Sequence, residues 1–467
     1  MIDQPSDAEG RQGGEGYITS ILDTDLYKLT MQRAVLETFP DVKVKYRFTN
    51  RGQRRFTQRV YKAVLRAVQD LSNLSLTREE RAWLEQRCPY FPPSYLDYLE
   101  QFRFNPQDQV EIKWVPVDDD ASSAQNGDDA RLGERVGNFE IEISGLWCET
   151  ILYEVPLMSI ISEAYFTEDE RDWDYVGQYE NARSKGQELF SAGCIVSEFG
   201  TRRRRTRLSH DIVMRGLVSA DEEIASATSS NGGASGRGKL AGTSNVHFAQ
   251  KYDLNPVGTI AHEWIMGIAA FEGYEHCNGR AMDAWEKIYP DGSLSIALTD
   301  TFTTKPFFED FVANPDRAKR WKGLRQDSGD PLTFLESAKQ VFLEVGADPK
   351  QKVIVFSDAL DVAKCKELKR ASDEAGVGCA FGVGTHFTND FKRVEGKDSP
   401  LAREEGLEVG QGPIRSRGEA SKALNMVIKL YKIDDEYCVK ISDELTKNTG
   451  NPQAVKKIKE QFGLDTN

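Results

Sequence analysis

At 467 residues the chain exceeds what one hydrophobic core commonly organises, so two domains are expected. Apolar residues at 39% and aromatics at 10% suffice for packed cores and exclude a disordered chain. Acidic residues outnumber basic ones 74 to 60, and the formal charge of −14 excludes any general attraction to nucleic acid or anionic membrane.

No apolar run reaches the ~18 residues that a membrane span needs. The polar, Gly-rich stretch 1–16 has no apolar core and reads as a floppy tail rather than a signal or transit peptide. Seven cysteines are scattered without a CxxC pair, as expected of reduced thiols and not of a disulfide frame or zinc site. A cytoplasmic location follows as the expectation, with a nuclear share left open.

From Ile18 to Phe39 the apolar residues recur at helical spacing and stop before Pro40. Val42, Val44, Tyr46 and Phe48 alternate with polar residues, which predicts a half-buried strand. Helices are expected over 58–73 and 77–87. Near the other end, Asn425–Ile433 and Tyr437–Ile441 flank Asp434-Asp435-Glu436, a hairpin signal that either domain can claim.

The middle of the chain has a different rhythm. Seven short apolar runs recur, together with the clusters that end them: Cys194–Arg202, Leu240–Ser244, Val257–His262, Ser295–Asp300, Gly323–Asp330, Val353–Asp358 and Cys379–Thr385. Each ends in a Gly, hydroxyl or charged cluster, and most are separated by helix-like sequence such as Trp264–Phe271, Pro331–Val345 and Ala359–Ala375. Strand, polar cluster and helix in repetition predict a parallel α/β architecture. Chemically capable residues end every run, and that spread favours a (β/α) barrel over an open sheet with one switch point. For any single cluster, loop capping is the simpler account; the set of seven reverses it. The expected plan is an α/β fold: an irregular barrel of about seven parallel strands over 151–423, with an α+β domain over 17–150 joined by 424–467. Asp118–Gly137, Ala220–Gly238 and Glu395–Glu419 lack apolar periodicity and are expected to be mobile surface insertions.

Three signals point elsewhere and fail on detail. Gly233–Lys239 fits the front of a P-loop, but Leu240 stands where a Ser or Thr should bind magnesium, and no strand precedes it. His262-Glu263 opens like a zinc-protease helix, but Met266 replaces the second His. Arg202–Arg205 resembles a solvated or RNA-binding charge run, yet it follows a strand in an acidic protein, so a phosphate clamp inside a cleft is the better reading.

Taken together, the ordered motifs resemble the nicotinate phosphoribosyltransferases. They are Leu22–Met31, Glu198–Arg204, Gly242–Asn245, Gly258–Trp264, Ala297–Thr301, Gly323–Pro331, Phe356–Asp358 and Phe381–Thr385. Each is weak alone, but the ordered set from about Ile18 to Phe462 is specific. The resemblance implies a type II phosphoribosyltransferase fold and the joining of nicotinate to phosphoribosyl pyrophosphate, the first step of NAD salvage from nicotinate. It also implies ATP as co-substrate, hydrolysed through a phosphohistidine, and Mg²⁺ accompanying both phosphate substrates.

The implied site follows motif by motif. His262 is the candidate phosphohistidine, oriented by Asp300 or, as second choice, Glu263. Arg325 is the candidate partner of the nicotinate carboxylate, through a two-bond fork. Tyr27 and Phe199 offer faces to the pyridine ring, and Thr243 and Ser244 offer hydroxyls. Arg202, Arg204, Asp327, Ser357, Asp358, Gly382, Gly384 and Thr385 are the candidates for phosphoribosyl pyrophosphate. Asp327 and Asp358 are also the candidate Mg²⁺ ligands, whereas Asp330 before Pro331 looks like a helix cap. The expected partners are small molecules, with no nucleic acid and no membrane. A homodimer in which the N-terminal segment reaches a neighbour's site remains open beside a monomer. The rival readings are a relative acting on nicotinamide or quinolinate, and an RNA- or phosphate-binding protein using Arg202–Arg205.

Overall fold

The computed structural model describes residues 16–117, 135–230, 237–258, 260–394, 417–444 and 448–464. Two six-stranded sheets organise it. The antiparallel one contains β1 (Lys43–Asn50), β2 (Phe56–Thr57), β3 (Val110–Pro116) and β4 (Val136–Leu146), with the C-terminal hairpin of β13 (Met426–Ile433) and β14 (Glu436–Tyr437). Tyr46 of β1 lies opposite Ile143 of β4 on one side and Leu430 of β13 on the other. The hairpin therefore completes the N-terminal sheet.

The parallel sheet contains β5 (Ile195–Glu198), β6 (Lys239–Thr243), β7 (Ile296–Leu298), β8 (Gly323–Gln326), β9 (Val353–Phe356) and β10 (Gly378–Val383), in the order β6-β5-β10-β9-β8-β7. A small ladder joins β11 (Phe391–Val394) to β12 (Arg417–Ser421). Helices follow the strands as expected. The one over Pro331–Glu344 starts with proline at its first turn, and Asp330 caps it by accepting from Thr333 N at 2.7 Å. Helices Gln58–Asp70 and Arg78–Arg87 stand where the sequence placed them, and a Thr77–Glu80 capping box starts the second. Among the described residues no helix is long and apolar enough to cross a membrane.

Three expectations need correction. Among the described residues the run Val257–His262 forms no strand, so the parallel sheet has six strands there and not about seven. Pro256 makes a single parallel bridge to Thr243, Gly258 turns the chain at φ 155°, and His262 already begins helix His262–Glu272. A proline without an N–H cannot extend a ladder there.

The N-terminal helix is shorter than the periodicity suggested, running Leu26–Thr38, because Asp25 is drawn aside into a bridge with Asn245. Much of Ala220–Gly238 is not a loop: helix Arg207–Ser230 continues through it. Ala220 is buried against helix Gln178–Ser191, where a Cβ on Gly186 would stand 2.8 Å from the Ala220 Cβ. Asp221 further binds Arg237 at 2.9 Å and accepts from Leu240 N at 3.2 Å, which ties the helix to β6. Residues 231–236, like most of Asp118–Gly137 and Glu395–Glu419 and the tail 1–15, lie outside the described residues. The described ends of the other two stretches are strand, in β4 and β12.

Candidate active site

Phe199, Ser244, Asp300, Asp327, Ser357 and Gly384 each stand just beyond the C-terminal end of a different parallel strand. Five parallel neighbours in register bring these ends together on one side of the sheet. The cleft there is walled by Tyr27, Phe199, Arg202, Ser244, His262, Arg325 and Asp327. Tyr27 thus reaches the cleft of its own chain.

His262 is buried at the first turn of its helix. Its Nδ1 pairs with Thr301 Oγ1 at 3.0 Å, and its Nε2 lies 3.3 Å from Asp327 Oδ2 and 3.8 Å from Asp300 Oδ1. Asp300 is held by Ser328 Oγ, which donates at 2.6 Å, and by Lys440 Nζ at 3.2 Å. Burial, seconded by the Lys440 charge, pushes the His262 pKa down to about 4, so the ring is neutral at neutral pH. Burial alone would raise Asp300, but its partners outweigh it and lower its pKa: His262 when protonated, then Lys440 and the Ser328 hydroxyl, which still face the carboxylate when the ring is neutral. Asp300 was expected to be the carboxylate that orients His262. Asp327 is nearer to the same nitrogen, and Thr301 fixes the other.

Glu263 is not a partner of His262. One oxygen accepts from Tyr46 Oη and from Trp147 Nε1 at 2.8 Å, and the other accepts from Lys28 Nζ. Its side chain turns away because three buried donors, from three other elements, converge on it.

Arg325 donates through Nε to Ser357 Oγ at 2.8 Å and through Nη2 to Asp327 Oδ1 at 2.9 Å, with its guanidinium 5.8 Å from the Phe199 ring centroid. Burial favours a neutral Asp327, yet Arg325 first and His262 next hold its carboxyl well below the usual range. Ser357 Oγ also bonds Asp327 Oδ1 at 2.7 Å, so it braces the Arg325–Asp327 pair and is not a free phosphate donor. Gly382 has a packing reason: a Cβ there would stand 2.3 Å from the Phe199 ring. Its absence lets that ring lie against β10 at the cleft wall. Gly384 closely faces the Phe199 carbonyl and leads into the short helix Thr385–Thr388.

The four arginines do not act together. Arg202 faces the cleft, 3.8 Å from Asp25 and 3.7 Å from Glu154. Arg203 lies where the charges of Asp327 and Asp358 bear on it, and burial pulls its pKa down to about 10. Arg204 is wholly buried and forks onto Asp23, so it is a structural pair and not a phosphate ligand. Arg205 is buried 3.7 Å from the Phe166 ring centroid and donates to Ser421 Oγ. A run of consecutive residues leaving a strand through a 3₁₀ turn, Thr201–Arg203, cannot point one way.

Thr243 also faces inward, donating to Glu198 Oε2 at 2.6 Å. Only its neighbour Ser244 lines the cleft, donating to Asp25 Oδ1 at 2.8 Å.

Residues 22–162 match the nicotinate phosphoribosyltransferase (NAPRTase) N-terminal domain, and residues 194–407 match the nicotinate phosphoribosyltransferase (NAPRTase) family. A Schizosaccharomyces pombe protein named "Probable nicotinate phosphoribosyltransferase" is 40% identical over 96% of this chain and 99% of its own length. The nicotinate phosphoribosyltransferase of Methanococcoides burtonii is 39% identical over 96% and 98%. A solved Saccharomyces cerevisiae structure overlays with a TM-score of 0.84 at 37% identity, covering 97% of this chain and 100% of that one. The chain belongs to the nicotinate phosphoribosyltransferase family.

For a nicotinate phosphoribosyltransferase cleft, the C-terminal hairpin region supplies cations that sequence reasoning missed. Lys429 of β13 lines the cleft, and burial lowers its pKa to about 8 against the raising effect of Glu154. Lys440 sits on Asp300, as described. Each is a lone lysine within an apolar run, Met426–Leu430 or Val439–Ile441, and that is the signal by which they were legible. Thr301 and Asp25 were missed too, although both stood within quoted motifs, and Arg203 was read only as part of the run Arg202–Arg205.

The ligand atoms of His262, Asp300 and Asp327 all lie within 4.8 Å of one another. Asp300 Oδ1 is buried with no hydrogen-bond partner. Mg²⁺ held by one or two carboxylates and completed by phosphate oxygens fits that pair. Asp358 is not part of that three-residue group.

Proposed function

We propose that this cleft joins nicotinate to phosphoribosyl pyrophosphate, giving nicotinate mononucleotide and pyrophosphate in NAD salvage, and that ATP hydrolysis through His262 is coupled to it. The observation that carries the reading is the convergence of two aromatic faces and a guanidinium, Tyr27, Phe199 and Arg325, beside a neutral buried histidine and two carboxylates.

The pyridine ring lies between Tyr27 and Phe199, with its carboxylate toward Arg325. That pose turns the ring nitrogen toward the anomeric carbon. The nitrogen forms the new C–N bond as the bond to pyrophosphate breaks, and positive charge develops on the ribose. Arg202, Arg203 and Lys429 offset the charge of the phosphates, while Gly384 and Thr385 offer backbone N–H groups to the 5′-phosphate. Asp300 and Asp327 would hold Mg²⁺, which would supply positive charge for the departing pyrophosphate.

In the ATP arm a neutral His262 nitrogen attacks the γ-phosphorus, ADP leaves, and water later releases the phosphate. The barrel reading rests on Pro256, which bridges β6 at Thr243, and on His262, which pairs with Thr301 beyond β7. We divide the chain into an N-terminal unit over 17–150 with 424–467, and a phosphoribosyltransferase unit over 151–423. Seven free, buried cysteines support a reducing, cytoplasmic setting. A homodimer and a monomer both fit this reading.

Incubation with γ-labelled ATP should leave an acid-labile phosphate on His262. His262→Asn should abolish ATP hydrolysis and spare slow, ATP-independent synthesis of nicotinate mononucleotide. An H262N variant that still hydrolyses ATP in step with product would refute the phosphohistidine arm.

A further inference from the structure

The residue after the candidate phosphohistidine, Glu263, has no role in the transfer chemistry above, yet it is the hub of a buried ionic network at the cleft wall. Glu263 accepts from Tyr46 of β1, from Trp147 and from Lys28, three groups on three separate elements. Lys28 Nζ continues to Glu154 Oε2 at 2.6 Å, and Glu154 Oε1 lies 3.7 Å from Arg202 at the cleft. Lys28 is wholly buried, and Glu154 and Glu263 are nearly so. Burial opposes the charge on Glu154, but Lys28 first, then Lys429 and Arg202, outweigh it and lower that pKa to about 2, so the carboxylate is ionised at neutral pH.

Lys28 also adjoins Tyr27 in sequence, and its Nζ is 5.6 Å from the Tyr27 ring centroid. A second contact runs the same way. A Cβ on Gly258 would stand 3.0 Å from Tyr27 N, so the segment that leads into His262 packs directly on the backbone of Tyr27.

We propose that Glu263 is a positioning residue that couples the charge state of His262 to the nicotinate pocket, through Lys28 to Tyr27 and through Glu154 to Arg202. The proposal rests on the phosphohistidine reading above. If ATP hydrolysis is to influence synthesis, the phosphorylated and free enzymes must differ in affinity for a substrate or product. A phosphate on His262 adds negative charge at the start of its helix. Glu263, one residue further, carries any shift of that helix into β1, the N-terminal helix and the cleft wall. Its carboxylate has no slack, because both oxygens are bound by buried donors whose own elements are packed.

The test is the nicotinate KM of the full chain with and without ATP, measured for the unaltered protein and for Glu263→Gln. The amide keeps the size of the side chain and loses the charge facing Lys28. In the unaltered chain ATP should change the nicotinate KM by about fivefold or more, the lower end of common coupling strengths. In E263Q the phosphohistidine should still form, the ATP effect should fall below about twofold, and more ATP should be hydrolysed per nicotinate mononucleotide made.

A purely structural role would lower Tm and leave the ATP effect intact, and that result overturns the coupling role alone. An unaltered chain that shows neither phosphohistidine nor an ATP effect overturns the phosphohistidine reading, and the coupling with it. If E263Q does not fold, Tyr46→Phe decides the matter, because it removes one bond to Glu263 with little change in volume. A diminished ATP effect in Y46F supports the role, and an undiminished one overturns it.

Discussion

Arg204 closes a two-bond fork onto Asp23, at 2.7 and 2.8 Å, with both side chains wholly out of solvent. Burial alone would raise Asp23, but the guanidinium outweighs it and holds the carboxyl far below its ordinary value. Asn245 also donates to Asp23, at 2.8 Å, so the fork pins the N-terminal segment to the residues following β6.

Breaking a buried pair by removing one partner leaves an uncompensated charge. Arg204→Met is therefore expected to cost about 3–5 kcal/mol in urea unfolding. Arg202→Ala, whose side chain is 32% exposed, should cost under ~1 kcal/mol and instead raise the KM for phosphoribosyl pyrophosphate. Equal stability of R204M and the unaltered chain would return Arg204 to the list of phosphate ligands.

Arg325 is braced by Asp327 and Ser357 so that its plane is fixed beside Phe199. Both Arg325→Ala and Arg325→Lys should raise the nicotinate KM by about tenfold or more, since an ammonium cannot reproduce a planar fork. An unchanged nicotinate KM in both variants would leave Arg325 as a brace for Asp327 only.

The pH dependence of the ATP arm follows from His262. Its folded pKa of about 4 lies below the ordinary 6.5, so the nucleophile stays neutral down to the acid side of 5. Phosphohistidine formation should keep its rate from pH 7 to about 5 and fall only as pH approaches about 4. For stability the sign is the same. Between about 6.5 and about 4 the unfolded chain binds the extra proton, so the contribution of this histidine declines as pH falls through that window. A rate that halves near pH 6.5 would show a ring with an ordinary pKa.

How much of this the sequence disclosed depends on what each residue answers to. Short apolar runs with a polar residue after them disclosed six parallel strands and the strand-end positions of Phe199, Asp300 and Asp327, because hydrophobic period and turn chemistry are local. The seventh run failed because Pro256 and Gly258, just before and inside it, outweighed its apolar content. The segment after Ala220 misled because small, acidic residues look like a loop, until the facing Gly186 shows that a helix packs closely there. Side-chain direction was the least legible. Thr243 and Ser244 are neighbours, yet one braces Glu198 inside and the other faces the cleft. Arg202 and Arg204 diverge in the same way. Glu263 and Lys28 are 235 positions apart, and only the fold shows that they meet.

Turnover of the purified full chain with phosphoribosyl pyrophosphate and Mg²⁺, offered nicotinate or nicotinamide in turn, bears most directly on the account. A cleft with Arg325, Arg202 and Lys429 at its wall should convert nicotinate to its mononucleotide with one pyrophosphate released, and should use nicotinamide at least about a hundredfold less well, as expected when a buried charge is left without its partner. Equal use of the amide, or no pyrophosphate released with nicotinate, would contradict it.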